Sequence, residues 1–280
     1  MPNSEIFTDA QFYLAVLLGL CLGSLATAMA YRLPRGISMI TQDRSHCPHC
    51  NRTLTFFDLF PVFSWLFLRG RCRSCGLPYG RRYLGIEVAT LALCLAFYFI
   101  LPAGAPLVAY HFAAAVLVAH VAIDFEWQLL LDKLNLALAA LALVAVALIC
   151  HVLPLDKGIA DWALATHLLM LSLAGAVVYA GLSAGLRFVV GRMLGREPMG
   201  LGDVKFFAAA GMWLGPDITI LANFMMASGL AGIALGLFWR WRYGAAAFPF
   251  GPALIAAFAG FLLAQQGHLA AAVALYGNSF

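Results

Sequence analysis

Apolar stretches of about 20 residues recur along most of the chain, and they restrict its possible folds more than any other feature. A helix of that length crosses the hydrocarbon core of a bilayer. Of the 280 residues, 63% are hydrophobic and only 11% are charged, whereas a soluble domain carries about 25% charged residues. The sequence therefore predicts an all-α polytopic membrane protein. Its surplus of basic residues is better explained by topology in a lipid bilayer than by nucleic-acid binding.

We expect about eight transmembrane helices. The first covers residues 12–31 and is predicted to be a retained helix, because no basic segment precedes it and no signal-cleavage site follows. The other seven are predicted at about 83–102, 107–123, 134–153, 164–186, 204–215, 218–239 and 248–267. Because 204–215 is short for a full crossing, a re-entrant or tilted helix is the alternative there.

The basic residues predict the orientation of these helices. The segment 32–82 contains nine of the seventeen Lys and Arg residues, and an excess of these residues marks cytoplasmic loops. With this segment in the cytoplasm, the N-terminus lies outside, and only Lys157 among the basic residues falls on the outer side. We therefore predict three parts: a first transmembrane helix (1–31), a cytoplasmic zinc-binding loop (32–82) and a catalytic helical bundle (83–280).

The predicted zinc site rests on two C-x-x-C pairs in the cytoplasmic loop. The four residues are Cys47, Cys50, Cys72 and Cys75, with 21 residues between the pairs. Two such pairs supply four thiolates to one tetrahedral zinc ion, and a site closed by four protein ligands is structural rather than catalytic. A redox pair and unliganded thiols are the alternatives, and His46 and His49 are possible substitute ligands. In the reducing cytoplasm, disulfides are disfavoured.

Two acidic residues lie where apolar spans end on the predicted cytoplasmic side. Asp124 ends the third span and Asp203 opens the sixth. Ionisable residues at such positions are costly and are usually functional. Two neighbouring carboxylates do not both ionise readily, so that one carries a proton and the other accepts one from water. The pair therefore predicts general acid/base hydrolysis of a peptide bond without a covalent intermediate.

Five other residues are predicted to support this pair. Gly200 and Gly202 leave room for a substrate strand close to the second carboxylate. Lys205 follows it by two residues. Asp132 is a candidate helix cap at the start of the fourth span. Glu87 lies near the cytoplasmic end of the second span, where either an ion pair with a neighbouring arginine or a hydrogen bond to the site is expected.

The chain resembles the bacterial type IV prepilin peptidase family over nearly its whole length. The matching motifs are Gly23-Ser24 with Tyr31-Arg32-Leu33-Pro34, the two C-x-x-C pairs, Arg82-Tyr83 with Glu87, Ile123-Asp124 through Asp132, Gly200-Leu201-Gly202-Asp203-Val204-Lys205, and Phe248-Pro249-Phe250-Gly251-Pro252. The sequence departs from the family pattern at three positions. Leu131 and Leu84 replace prolines in predicted turns, and Thr27 replaces an asparagine in the first span.

This resemblance implies a membrane-embedded aspartyl endopeptidase of the bacterial inner membrane. It implies cleavage of the basic leader of type IV prepilins or type II secretion pseudopilins at the cytoplasmic face, with Asp124 and Asp203 as the catalytic pair. It also implies N-methylation of the new N-terminus with S-adenosylmethionine, for which the sequence contains no soluble-type methyltransferase motif.

Two other function classes fit part of the pattern. An intramembrane aspartyl protease with unrelated substrates would need the two aspartates but not the cysteine pairs. A proton-coupled transporter would also use membrane carboxylates, but transporters usually place them near the bilayer midplane. The predicted position of both aspartates at one face therefore favours the peptidase.

Overall fold

The computed structural model describes residues 10–40, 45–101, 106–152, 160–195, 199–244 and 248–277. Among these residues the regular structure is helical, which confirms the all-α prediction. The α-helices are α1 (Ala10–Arg32), α2 (Phe63–Phe67), α3 (Arg81–Ile100), α4 (Pro106–Trp127), α5 (Asp132–Val152), α6 (Ala160–Leu194), α7 (Leu201–Leu214), α8 (Ile218–Tyr243), α9 (Gly251–Leu263) and α10 (His268–Gly277). Short 3₁₀ turns cover Leu33–Arg35 and Phe56–Asp58. The chain forms two compact units, Met1–Phe99 and Ile100–Phe280, called here the N-terminal and C-terminal units. The three-part functional division predicted above stays a prediction.

Seven helical segments within the described residues are long and apolar enough to cross a membrane. They are Ala10–Arg35, Arg81–Ile100, Pro106–Trp127, Asp132–Cys150, Trp162–Met193, Ile218–Tyr243 and Gly251–Ala272. The remaining predicted span, 204–215, is the sixth in chain order and corresponds to α7. This helix has 14 residues, about 21 Å at 1.5 Å per residue, which is shorter than the hydrocarbon core of about 30 Å. A full crossing by this segment is therefore not supported.

Helix α6 is longer than the sequence predicted. Its 35 residues continue through Leu194, whereas the prediction ended the span at residue 186 and made 187–203 a loop. Arg187 interrupts the apolar stretch, but arginine is a good helix former, so a charge at this point does not end the helix. The helix ends before Gly195, whose φ of 62° is the left-handed conformation that commonly terminates helices.

In the N-terminal unit, α1 and α3 approach closely along a glycine face. A Cβ atom added at Gly19 would lie 2.8 Å from Leu91, and one added at Gly23 would lie 3.0 Å from the Cα atom of Glu87. Small residues at this spacing let membrane helices pack backbone against backbone. The contact fixes the predicted support residue Glu87 beside α1.

In the C-terminal unit, α7 is short but central. It packs against α5, α6 and α9, and the Trp213 indole N–H donates to the Leu138 carbonyl of α5 at 3.0 Å. Backbone that does not cross the bilayer is tolerated at membrane depth where protein surrounds it. Burial among the longer helices therefore explains how a 14-residue apolar helix is accommodated.

The contact between α6 and α7 depends on two facing glycines. A Cβ atom added at Gly175 would lie 2.1 Å from the Gly211 carbonyl oxygen. We expect Gly175→Val to lower the thermal midpoint and the folded yield in detergent, at a cost of about 3 kcal/mol or more, because the backbones must separate. Gly181→Val on the same helix is the control, since nothing lies within 4 Å of its added Cβ. Equal thermal midpoints for the two variants would contradict this packing.

Candidate active site

Asp124 lies in the last turn of α4 and is only 4% exposed. Its Oδ2 atom accepts a hydrogen bond of 2.8 Å from the backbone N–H of Gly251. Gly251 is the first residue of α9, and the free N–H groups and positive dipole end of a helix N-terminus favour a negative charge. The carboxylate is therefore buried against a group that stabilises its ionised form.

Gly251 is a site residue to which the sequence analysis gave no role. A Cβ atom at this position would lie 2.7 Å from Asp124 Oδ2 and 3.0 Å from the Leu130 side chain. Only glycine leaves room for the carboxylate to reach the backbone. The sole signal in the sequence was the resemblance of Phe248–Pro252 to a family motif, because a backbone donor leaves no trace in residue type.

Asp203 is the third residue of α7 and is partly buried. Its Oδ2 atom accepts a hydrogen bond of 3.0 Å from the backbone N–H of Gly200. Each predicted aspartate thus accepts a backbone N–H at the N-terminus of a helix.

Leu130 contacts residues next to both aspartates. A Cβ atom at Gly202 would lie 2.8 Å from the Leu130 carbonyl oxygen, and the Leu130 side chain contacts Gly251, the donor to Asp124. The carboxylates of Asp124 and Asp203 interact electrostatically. The C-terminal unit therefore places the two predicted aspartates in one site, although they are 79 positions apart in the printed sequence.

A buried polar pair, His120 and Asn135, supports the Asp203 side of the site. Asn135 donates from Nδ2 to the Gly202 carbonyl at 3.2 Å, and its side chain interacts with the ring of His120. His120 donates from Nδ1 to the Val116 carbonyl at 3.1 Å. Sequence reasoning missed both residues. The available signal was that both are polar residues inside apolar spans. His120 lies four positions before Asp124, and Asn135 lies three positions after Asp132.

Lys205 and Asp132 form an ion pair with an N–O distance of 2.6 Å. Both side chains are exposed, at 51% and 67%, and such a pair contributes about 0–1 kcal/mol. It joins the first turns of α7 and α5, which also carry Asp203 and Asn135. This position agrees with a supporting role for both residues, which stays a prediction.

Glu87 belongs to the N-terminal unit. Its Oε2 atom accepts a 2.7 Å hydrogen bond from the backbone N–H of Val62, which begins α2 with a φ of 63°. Neighbouring Arg82 donates instead to the Ala30 carbonyl at 3.1 Å. The expected support of the aspartate site by Glu87 stays a prediction. Glu87 anchors the start of α2 to α3.

The four predicted cysteines form one cluster. Their sulfur atoms lie within 4.8 Å of one another, and two of the separations are 3.9 Å. Tetrahedral zinc with bonds of about 2.3 Å places its sulfurs about 3.8 Å apart, so the cluster fits zinc. Backbone N–H groups of Cys75 and Ser74 lower the pKa of the Cys72 thiol to about 6, which favours the thiolate that binds metal.

Two matching turns hold these sulfurs. Cys47 N–H donates to the Arg52 carbonyl, and Cys72 N–H donates to the Leu77 carbonyl, each at 2.9 Å. Each turn closes with a residue of positive φ, Asn51 in the first and Gly76 in the second. The alternative ligand His49 is instead engaged at Nε2 by the Pro78 carbonyl, at 3.3 Å. Four cysteines and no histidine therefore make the cluster.

Asp58 ties the two turns together. Its carboxylate is 2.5 Å from Arg52 and 3.2 Å from Arg73, one arginine beside each cysteine pair. Thr55 donates to it from both its backbone N–H and its hydroxyl. Burial raises the pKa of Asp58, but the Thr55 hydrogen bonds and the two arginine charges outweigh burial and hold the pKa below its ordinary value. The carboxylate is thus fixed in its ionised form between the turns.

Comparisons with known proteins divide the chain much as its structure does. Residues 17–101 match the bacterial peptidase A24 N-terminal domain, and residues 111–237 match the type IV leader peptidase family. A prepilin leader peptidase/N-methyltransferase of Burkholderia pseudomallei strain 1026b is 34% identical over 287 residues, covering 89% of this chain and 84% of the relative. The chain belongs to the type IV leader peptidase family. The resemblance inferred from the sequence motifs is therefore confirmed, and the chain is a multi-pass membrane protein.

Other members of the type IV leader peptidase family match less of the chain. The type 4 prepilin-like proteins leader peptide-processing enzyme of Escherichia coli O78:H11 is 32% identical, over 75% of this chain and 72% of the relative. The prepilin leader peptidase/N-methyltransferase of Aeromonas hydrophila is 34% identical, over 75% of this chain and 68% of the relative. No solved structure matches the chain.

The three departures from the family pattern are accommodated locally. Leu84 lies within the continuous helix α3. The Leu131 carbonyl accepts hydrogen bonds from Leu134 and Asn135 at the start of α5, as a residue preceding a helix does. Thr27 faces into the N-terminal unit, where its hydroxyl is buried.

The cysteine geometry predicts about one zinc ion per chain. We expect the double variant Cys47→Ser, Cys50→Ser to lose the metal and to give less folded protein, because Asp58 alone then holds the two turns. Elemental analysis of purified protein and folded yield measure this. Cys94→Ser, a buried cysteine in α3, is the control and should retain zinc. Zinc-free wild-type protein with four freely reactive thiols would refute the site.

Proposed function

We propose that the chain is an aspartyl endopeptidase that removes the leader of type IV prepilins or type II secretion pseudopilins and N-methylates the new N-terminus. The observation that carries the peptidase proposal is the pair Asp124 and Asp203, each bound to a helix N-terminus in one site. The printed names of the relatives supply the substrate class and the second activity.

The electrostatics of the site suit a shared proton. The N-termini of α9 and α7 stabilise negative charge, whereas the surrounding apolar helices and the mutual repulsion of the carboxylates oppose a second charge. One ionised and one protonated carboxyl therefore coexist. The ionised carboxylate takes a proton from water as the water attacks the scissile carbonyl, and the protonated carboxyl donates to the carbonyl oxygen. Because the two carboxyls are coupled, their apparent pKa values describe the pair and are not assigned to one residue.

Leu130 and the glycines shape the approach of the peptide. At Gly202 the missing side chain makes room for the Leu130 carbonyl, not for a substrate, and the Gly202 carbonyl is fixed by Asn135. At Gly200 an added Cβ would meet little besides the Asp203 carboxylate, so an extended substrate segment can come near the second carboxylate there. The charge distribution supports cleavage at the cytoplasmic face of the inner membrane, since Lys205 is exposed near Asp203 and Arg187 of α6 donates to the Met199 carbonyl, next to Gly200.

Zinc and the methyl donor have separate places in this proposal. The four cysteines fit a zinc ion that folds the loop, and because all four positions are protein ligands, the ion is assigned no step in hydrolysis. S-adenosylmethionine supplies the methyl group to the amine that cleavage exposes. Peptide cleavage itself needs neither group.

The decisive experiment is incubation of the purified protein with a prepilin, followed by mass spectrometry of the product. We expect loss of the leader and, with S-adenosylmethionine present, gain of one methyl group. An intact prepilin after incubation with folded protein would refute the peptidase. A cleaved product that never gains a methyl group would refute the second activity alone.

Asp124→Asn and Asp203→Asn should each abolish leader cleavage while the protein remains inserted, because neither variant can exchange a proton within the pair. The double variant should be no worse than either single variant, since effects within one catalytic unit do not add. Asp132→Asn should be milder, because its exposed ion pair contributes little. Asp217→Asn, which alters only the cap of α8, is the control. Substantial cleavage by Asp203→Asn would rule out the mechanism.

Asn135→Leu should slow cleavage between about 10- and 100-fold, because the Gly202 carbonyl loses its donor and the neighbouring Asp203 is no longer held in position. Ser183→Ala is the matched control, because within the described residues this buried hydroxyl donates to the Ala180 carbonyl of its own helix and to no other group. Cleavage rates are compared at equal amounts of folded protein. A wild-type rate for Asn135→Leu would remove Asn135 from the site.

A further inference from the structure

The cysteine module, residues 45–79, exposes a cluster of large apolar side chains between its two cysteine pairs. Phe67 is 83% exposed, and Phe56 and Phe57 are each 72% exposed. A contiguous apolar patch on a protein surface marks a site of interaction with another protein or with a membrane. The set is named here the aromatic patch and consists of Phe56, Phe57, Phe60, Phe63, Leu66 and Phe67.

The members of the aromatic patch lie next to one another. The ring of Phe56 is 5.9 Å from that of Phe57 and 6.1 Å from that of Phe60, and the rings of Phe60 and Phe63 are 5.6 Å apart. Within α2, the three members of the patch stand at the three- and four-residue spacing that shares one helix face. The patch is therefore one continuous surface.

The start of α2 is held at the level of two membrane-spanning helices. The Val62 N–H donates to Oε2 of Glu87 at 2.7 Å, and Glu87 lies six residues after the first residue of α3, about 9 Å along the helix axis. Gly23 of α1 packs against the Cα atom of Glu87. Because both helices are long and apolar enough to cross a membrane there, the segment that begins α2 lies at the boundary between water and lipid.

The direction of α2 is fixed at both of its ends. Val62 has a φ of 63°, a conformation that β-branched residues rarely adopt and that persists only where the surrounding structure requires it. The hydrogen bond to Glu87 supplies that requirement at the start of α2. Near its end, Trp65 packs against Gly70, where an added Cβ would lie 2.7 Å from the indole ring. The outward position of the phenylalanines is therefore built into the fold.

The exposed charge beside the aromatic patch is positive. The cysteine module contains four arginines and one aspartate, and this aspartate, Asp58, is buried between Arg52 and Arg73. Arg69 and Arg71 directly follow α2 and are exposed. Basic residues beside a membrane are attracted to anionic lipid headgroups. An apolar face bordered by arginines is the pattern of segments that lie in the membrane interface.

We propose that the cysteine module docks on the bilayer surface through the aromatic patch. The phenylalanines enter the interface beneath anionic headgroups, and Arg69 and Arg71 contact the lipid phosphates. The module then lies along the membrane and does not project freely into water. This inference goes beyond the proposed peptidase function and does not depend on it, since it requires only that α1 and α3 span the membrane. A protein occupant of the patch is distinguished by the first experiment.

The first experiment identifies what touches the aromatic patch. A photoreactive diazirine analogue of phenylalanine replaces Phe57 or Phe67 in the full-length protein, held in nanodiscs that contain phosphatidylglycerol, and mass spectrometry identifies the adducts after illumination. We expect lipid adducts at both positions, with yields close to that of the analogue at Leu17, an exposed residue of the membrane-spanning α1. Ser74, exposed in the second cysteine turn, gives the background yield.

Two results of the first experiment would overturn the docking. One is a yield of lipid adducts at both Phe57 and Phe67 no higher than the yield at Ser74. The other is the replacement of lipid adducts by prepilin adducts when a prepilin is added, which would assign the aromatic patch to the substrate.

The second experiment measures how strongly the patch holds the module on lipid. Phe57→Ser combined with Phe67→Ser changes the stability of the fold little, because both side chains are exposed within the protein, but it removes two side chains from lipid. We expect trypsin to cleave after Arg69 and Arg71 at least about tenfold faster in this variant than in the wild type, in phosphatidylglycerol nanodiscs. Leu77→Ser, an exposed leucine of the module outside the patch, is the control and should be cleaved like the wild type.

The same cleavage in the wild type needs no substitution and so excludes unfolding of a variant as the cause. In nanodiscs of phosphatidylcholine alone, Arg69 and Arg71 lose their anionic partners, and we expect trypsin to cleave the wild type faster than in phosphatidylglycerol. A double variant that is cleaved at the wild-type rate would overturn docking through the phenylalanines. Equal wild-type rates in the two lipids would overturn the contact of the arginines with anionic headgroups.

Discussion

The structure of the C-terminal unit depends on the cost of placing carboxylates among apolar helices. A charge at membrane depth is tolerated only where other groups compensate it. Asp124 is buried in the last turn of α4, and the compensating group is the backbone N–H at the start of α9. Three features meet this requirement: Gly251, the short loop containing Leu130, and the helix α7. Each of them brings a helix N-terminus to a carboxylate or leaves space for one.

Helix α7 is short, and its two ends have different surroundings. Residues 206–214 are mostly buried, and the helix packs against α5, α6 and α9, whereas its first turn, which carries Asp203, is partly exposed. The close Gly175–Gly211 contact is what makes such a position possible. Packing in the middle of the helix thus determines where Asp203 lies.

Much of this arrangement could be predicted from the sequence, and the rest could not for physical reasons. Apolar length and cysteine spacing predicted the helices and the sulfur cluster, because both depend on residue type alone. The end of α6 was misplaced because a charged residue such as Arg187 marks the end of an apolar stretch but not the end of a helix. Gly251 was given no role, because its contribution is a backbone N–H, which almost every residue has. Predicting the role of Asn135 would have required knowing which main-chain carbonyl lies next to its side chain.

Buried polar residues of the C-terminal unit show what the aspartate site requires of its supporting helices. Asn135 donates to the Gly202 carbonyl and His120 donates to the Val116 carbonyl. The Asn135 Oδ1 and His120 Nε2 atoms, however, are buried without a hydrogen-bond partner among the described residues. An unpaired buried polar atom costs about 1–3 kcal/mol, so folding alone would favour apolar side chains at both positions. The Asn135 hydrogen bond holds the carbonyl next to Asp203, so the position of the proposed catalytic carboxylate, rather than stability, accounts for the polar residue.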